Sequence, residues 1–346
     1  MEQTKRKFHA SMINDYRAFV FLGIVLIFGI FANNFYTLYN FTSIFSGSSL
    51  YTFIGLAFTL CMIAGHMDLS VGYMATMGAM MVLGMRTLEG LPWGVAFLVA
   101  AGVGALFGLA NGILVAKAKI HSFIVTLGMQ FVIKGLLNIY SNGAEISVKG
   151  DFEVTDILNS SPIPFLPFSV LFLFTLAAVI ILMVVLAKTR FGRNVYMLGG
   201  NLETAWLAGI KSDRNTILIF MISGILCGLG GALYGVSAGT ATPTLGEKGI
   251  APLMVGLTAT IIGGTDIAGG KGSVLNTFVS IVAILAMFGV ITTLVGKFEV
   301  QILFIGIVLA FCVLYETFTK YAKQKTLGIR PDLVQKYMQE SGKTKL

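Results

Sequence analysis

Apolar residues come in ten long runs separated by short polar links, at about 18–36, 45–65, 70–87, 92–116, 122–140, 165–188, 214–236, 250–264, 274–296 and 299–319. A helix needs about 20 apolar residues to cross a bilayer. The pattern therefore predicts an all-α polytopic integral membrane protein of about ten transmembrane helices. It divides the chain into a cytoplasmic N-terminal tail (1–17), a transmembrane domain (18–319) and a cytoplasmic C-terminal tail (320–346), with no separate soluble domain. The charged C-terminal tail reads as a short helix or a disordered segment. The run 250–264 is short; it either crosses or forms a tilted, re-entrant segment, and re-entry would change the parity of the second half.

Two polar links resemble each other: Gly65-His66-Met67-Asp68-Leu69-Ser70-Val71-Gly72 and Gly263-Gly264-Thr265-Asp266-Ile267-Ala268-Gly269-Gly270. Glycine-rich breaks around an acid in both halves point to an internal pseudo-repeat and a duplicated transport pathway. Gly104, Gly108 and Gly112 recur every four residues, as do Gly224 and Gly228. That spacing lets helix backbones approach closely in lipid.

Composition sharpens this picture. Apolar residues make up 56% of the chain and charged ones 12%, against roughly 25% in a soluble domain. The net charge of +8 does not indicate nucleic acid, because 16 of the 24 Lys and Arg fall in the N-terminal tail to Arg17, the link Lys188–Arg214 and the tail from Lys320. Basic clusters beside spans mark the cytoplasmic side. With the N-terminus inside, the acidic segment 141–164 (Glu145, Asp151, Glu153, Asp156) falls outside, and Lys117, Lys119, the 188–214 link and the C-terminal tail fall inside. Cys61, Cys227 and Cys312 all lie in apolar runs, where they pack as small core residues and imply no disulfide or metal site. The first apolar run lacks a clear cleavage site and leads into further spans, so it is not read as a removable signal peptide.

Few residues carry chemistry. Asp68 sits in the first break, where a membrane carboxylate is costly unless paired or hydrated. It either caps the helix beginning near Ser70 or takes part in a pathway or gate. His66 is a titratable neighbour or a hydrogen-bonded structural group. Gln130, Lys134 and Asn138 form an i, i+4, i+8 stripe that faces a wet interior, or else Lys134 snorkels to the outer interface. Gly269-Gly270-Lys271-Gly272-Ser273 imitates a phosphate loop, but Thr265 stands where that loop needs glycine and Gly272 where it needs Ser or Thr. No catalytic constellation and no metal-ligand spacing is present.

The link between the sixth and seventh runs, Gly192-Arg193-Asn194-Val195-Tyr196-Met197-Leu198-Gly199-Gly200-Asn201-Leu202-Glu203-Thr204-Ala205-Trp206-Leu207-Ala208-Gly209-Ile210, predicts a short amphipathic helix over 202–208 stopped by Gly209. It resembles the cytoplasmic coupling segment of permeases from carbohydrate-uptake ABC importers of the ribose/xylose/galactose type. Arg193, Tyr196, Gly199, Gly200, Asn201, Ala205, Gly209 and Ile210 match, and Glu203-Thr204 departs. The first break resembles the family's GGIDLSVG, with His66-Met67 in place of Gly-Ile. Gly108-Leu109-Ala110-Asn111-Gly112 resembles its G-x-x-NG, which adds Asn111 to the candidate pathway or gating residues Asp68, His66, Gln130, Lys134, Asn138 and Asp266. Phe123–Gly128, with Lys134-Gly135 beyond, and the second break (similar to IGGTSLSGG) follow in family order, so the resemblance covers about 45–315. The approach to the second break, Glu247–Leu257, lacks the family's acidic pair.

By resemblance, this is a permease subunit that performs no bond chemistry and binds no cofactor. ATP and Mg2+ belong to a separate ABC ATPase that docks on Arg193–Ile210. A second permease chain completes a homodimer, and an extracytoplasmic solute-binding protein delivers a small polar solute, a monosaccharide above all. The resemblance places the chain in the bacterial plasma (inner) membrane. A proton- or sodium-coupled secondary transporter is the alternative.

Overall fold

A computed structural model describes residues 2–148, 150, 152–163, 165–246 and 252–326. Among them the chain forms α1 (Glu2–Gly29), α2 (Leu38–Ile63), α3 (Val71–Thr87), α4 (Trp93–Ala116), α5 (Ser122–Ser141), β1 (Ile146–Ser147), α6 (Glu153–Asn159), α7 (Val170–Lys188), α8 (Arg190–Gly200), α9 (Leu202–Leu207), α10 (Ser212–Ala238), β2 (Thr240–Ala241), α11 (Pro252–Ile262), α12 (Val274–Val295) and α13 (Phe298–Thr326). β1 and β2 pair antiparallel, Ile146 opposite Ala241. They close the end of the bundle where α5 and α10 finish, and the two glycine breaks close the other end.

Among the described residues, seven helices are long and apolar enough to cross a membrane: α2, α4, α5, α7, α10, α12 and α13 as far as Thr319. The other three expected spans are shorter. The first run turns after Gly29, where the Phe35 ring folds back against that glycine, and α2 starts at Leu38 instead of 45. α3 has 17 residues and α11 has 11. α11 is described from Pro252 onward. A Cβ on Gly72, at the start of α3, would lie 3.4 Å from Leu253 at the start of α11. Gly256 of α11 packs against Ile54 and Gly55, well inside α2. The first turn of α3 and the described part of α11 thus pack together against α2.

The core is built on α10, which lies between α3 and α4. The glycine spacing produces this packing: a Cβ on Gly224 would stand 2.0 Å from the Gly104 carbonyl oxygen, and one on Gly108 would stand 2.2 Å from that of Phe220. On the other side of α10, a Cβ on Gly231 would meet the Ala75 oxygen at 1.8 Å. Backbone touches backbone along both seams, which is how helices gain contact where no hydrophobic force drives them together.

The link before α10 is more helical than the sequence indicated. α8 forms in addition to the expected short helix, its start capped by the Thr189 hydroxyl accepting from the Gly192 amide at 3.1 Å. Asn201 caps α9 by accepting from the Thr204 amide at 2.9 Å. Gly209, at φ 76, ends it. α13 continues to Thr326, past the expected limit at 319; most of the C-terminal tail, 327–346, and the Glu247–Ala251 approach to the second break lie outside the described residues.

Candidate functional site

Three polar links between the long apolar runs meet at one end of the bundle. In the first break, Asp68 is fully buried. One carboxylate oxygen accepts from the Ser70 amide at 3.1 Å and the Ser70 hydroxyl at 2.5 Å. The other accepts from the Ser223 hydroxyl of α10 at 2.9 Å. The Asn111 side-chain amide of α4 donates to Ser70 Oγ at 2.9 Å. Asp68 thus bonds the amide of Ser70, the residue just before α3, and no first-turn amide of that helix, and it also ties the break to α10 and, through Ser70, to α4. Ser223 lies eleven residues past Ser212, about 16 Å along α10 at the helical rise. Asp68 therefore lies deeper than Gly65, which closes the end of the bundle against Gly199. The break is held further by Ser122 and Thr126 of α5, whose hydroxyls accept from the Met67 and Leu69 amides at 3.2 and 3.0 Å.

In the second break, the Asp266 carboxylate accepts from the Ala268 amide at 2.8 Å and its carbonyl from the Gly269 amide at 3.0 Å, folding Gly263–Gly270 into a tight loop. The Arg17 guanidinium covers Gly264 from α1 and lies within electrostatic reach of Glu316 and Asp266. The Gly270 amide donates to the Ile63 carbonyl at the end of α2, 2.8 Å away. The two breaks, alike in sequence, are in contact.

Of the residues expected from the resemblance to couple to an ATPase, Tyr196, Gly199 and Ala205 face inward. The Tyr196 hydroxyl donates to the Gly272 carbonyl at 3.0 Å, and burial pushes its phenol up from the ordinary value. Gly199 packs against Ile63 and Gly270, and Ala205 is fully buried. Arg193, Asn201, Glu203 and Gly209 are exposed, and a Cβ on Gly200 would meet nothing within 4 Å. Beside them Leu202, Trp206 and Leu207 are 62%, 70% and 73% exposed on the six-residue α9. Trp206 was not singled out in the sequence; its place on the outer side of a helix whose inner side is Ala205 was the available signal.

A cavity of about 580 Å³ opens between these segments, lined among others by His66, Lys119, Asn201, Glu203, Asp213 and Thr216. His66 lies 3.4 Å from the Thr216 hydroxyl and tilts over the Phe220 ring. Lys117 and Lys119 reach Asp213 at 3.2 and 2.7 Å, joining the α4–α5 turn to the start of α10. The polar stripe of α5 stands apart. Gln130, Lys134 and Asn138 are half-buried, Lys134 rides 5.9 Å above the Tyr73 ring of α3, and Asn138 donates to the Lys134 carbonyl at 2.8 Å. Among the described residues no group of His, Cys, Asp or Glu is disposed to hold a metal.

Compared with known proteins, residues 40–313 match the family described as branched-chain amino acid transport system / permease component. The chain belongs to that family. Similar permeases include the D-allose transport system permease protein of Escherichia coli (strain K12), 31% identical over 80% of this chain and 83% of that protein. The ribose import permease protein of Bacillus subtilis (strain 168) is 30% identical over 86% and 91%, and the fructose import permease protein of Rhizobium meliloti 32% over 73% and 71%. No solved structure matches. The matches bear out the carbohydrate-uptake ABC permease that the motifs resemble and leave the ion-coupled alternative without support. This permease is a multi-pass protein of the bacterial inner membrane.

Proposed function

We propose that this permease imports a monosaccharide as one of two identical membrane subunits, with ATP and Mg2+ held by a separate ATPase docked on α9. The observation that carries the docking is the exposed Leu202, Trp206 and Leu207 beside Glu203, outside the spans and flanked by basic tracts. Three large apolar side chains crowded on one six-residue helix form a surface that a protein partner covers. The sugar class is supported by the relatives, whose names give allose, ribose and fructose. In this reading the chain crosses ten times, with α3 and α11 acting as partial spans. The solute passes where the two meet, and the solute-binding protein docks outside on the 141–164 segment. Asp68, His66, Asn111, Gln130, Lys134, Asn138 and Asp266 shape or gate that route.

The test is co-purification of the tagged chain with its ATPase. Trp206→Ala combined with Glu203→Arg removes the apolar anchor and reverses the neighbouring charge. The variant is expected to insert normally yet lose the ATPase, a loss on the order of 2 kcal/mol or more for an aromatic anchor. Full ATPase retention by the double variant would place the docking surface elsewhere.

A further inference from the structure

Gly199 and Gly200, in the last turn of α8, stand between the docking helix α9 and the interior. A Cβ on Gly199 would lie 1.8 Å from the Ile63 carbonyl oxygen and 2.6 Å from the Gly270 nitrogen. Those two atoms are themselves hydrogen-bonded at 2.8 Å. A Cβ on Gly269 would meet the Cα atoms of Gly199 and Gly65, each at 2.9 Å. Three backbones, one from each break and one from α8, therefore converge with no side chain between them. One turn earlier, Tyr196 fastens α8 to Gly272. On the other side of the junction, Asn201 begins α9 directly after Gly200.

Side chains can absorb a displacement by changing rotamer, whereas backbones in van der Waals contact move together. Each break is internally braced, the first by Asp68 and its partners and the second by Asp266. A shift of α9 cannot be dissipated inside either loop. We propose that Gly199 is a positioning residue: it carries the movement of α9 to both helix breaks at once, so that one docking event displaces the end of α2 and the entry to α12 as a unit. This rests on the reading that the ATPase docks on α9.

The test uses the permease purified with its ATPase, its own cysteines replaced, and spin labels at Leu88, beyond the far end of α3, and Lys271 in the second break; both positions are exposed. In the unmodified relay, ATP with vanadate shifts the label-to-label distance. With Gly199→Ala the added methyl pries the junction apart, and the shift is lost while ATPase stays bound. Tyr196→Phe adds no bulk and removes only the tie to Gly272; it reduces the shift and decides the matter should Gly199→Ala fail to fold. Gly102→Ala, placed in open space on α4, keeps the full shift. A full shift in both Gly199→Ala and Tyr196→Phe, ATPase bound, overturns the relay. Loss of the ATPase from the unsubstituted chain would defeat the docking reading, and the relay with it.

Discussion

At the residue scale, Asp68 decides how the first break is held. Its carboxylate accepts three hydrogen bonds, and bonds to a charged group contribute about 1.5–3 kcal/mol each. Asp68→Ala leaves the Ser70 and Ser223 donors unsatisfied in a buried site, so a thermal-stability loss of about 3 kcal/mol is expected in detergent. Asp68→Asn keeps one acceptor oxygen, and its amide can donate to the Ser223 hydroxyl, which limits the loss to about 1 kcal/mol. Equal melting of Asp68→Ala and the unsubstituted protein would remove the network as the brace. Asp68 was legible because a lone acid between glycines in an apolar chain needs an explanation. Ser70 and Asn111 lay inside recognisable motifs. Ser223 was not legible: it stands 155 residues from Asp68 in the apolar middle of α10, and no local pattern distinguishes it from any helical serine.

At the element scale, the α4–α10 seam was visible as a spacing of glycines, although the spacing alone did not say which helices pair. A Cβ on Gly104 would stand 2.3 Å from the Gly224 oxygen and one on Gly224 2.0 Å from the Gly104 oxygen, so the seam tolerates no side chain. Gly224→Val forces the backbones apart and is expected to cost about 3 kcal/mol or more, at the upper end for overpacking. It should appear as a sharp drop in folded protein recovered from membranes. Unchanged recovery and melting would mean that the two helices are not in contact in the bilayer. The short length of α3 was only half legible. Hydropathy registers apolar content, not depth, so a helix that starts within the bundle and one that starts at its surface read alike. α8 was hidden for a different reason: Gly192, Gly199 and Gly200 lower helix propensity, and packing against α7 and the second break overrides it.

At the scale of the whole molecule, the order of spans followed from hydropathy, but their sidedness depends on α11. That helix has 11 residues, about 16 Å, roughly half of a bilayer core. Length alone would make it re-entrant. Contacts argue otherwise, since Gly270, a few residues beyond its end, bonds to Ile63 and packs on Gly200, whereas β2, before its start, pairs with β1 at the opposite end of the bundle. β2 and the second break therefore lie at opposite ends of the bundle. The 22 residues of α12 then carry the chain back about 33 Å to Lys297. Single cysteines at Lys211 and Lys271, in a cysteine-free background, are accordingly expected to resist an impermeant thiol reagent added to intact cells, and cysteines at Glu153 and Lys297 to react. All four positions are exposed on the isolated chain, so protection reports the membrane and not burial. Labelling at 271 with protection at 211 would separate the two breaks onto opposite faces. It would make α11 re-entrant and dissolve the junction between Gly199 and Gly270.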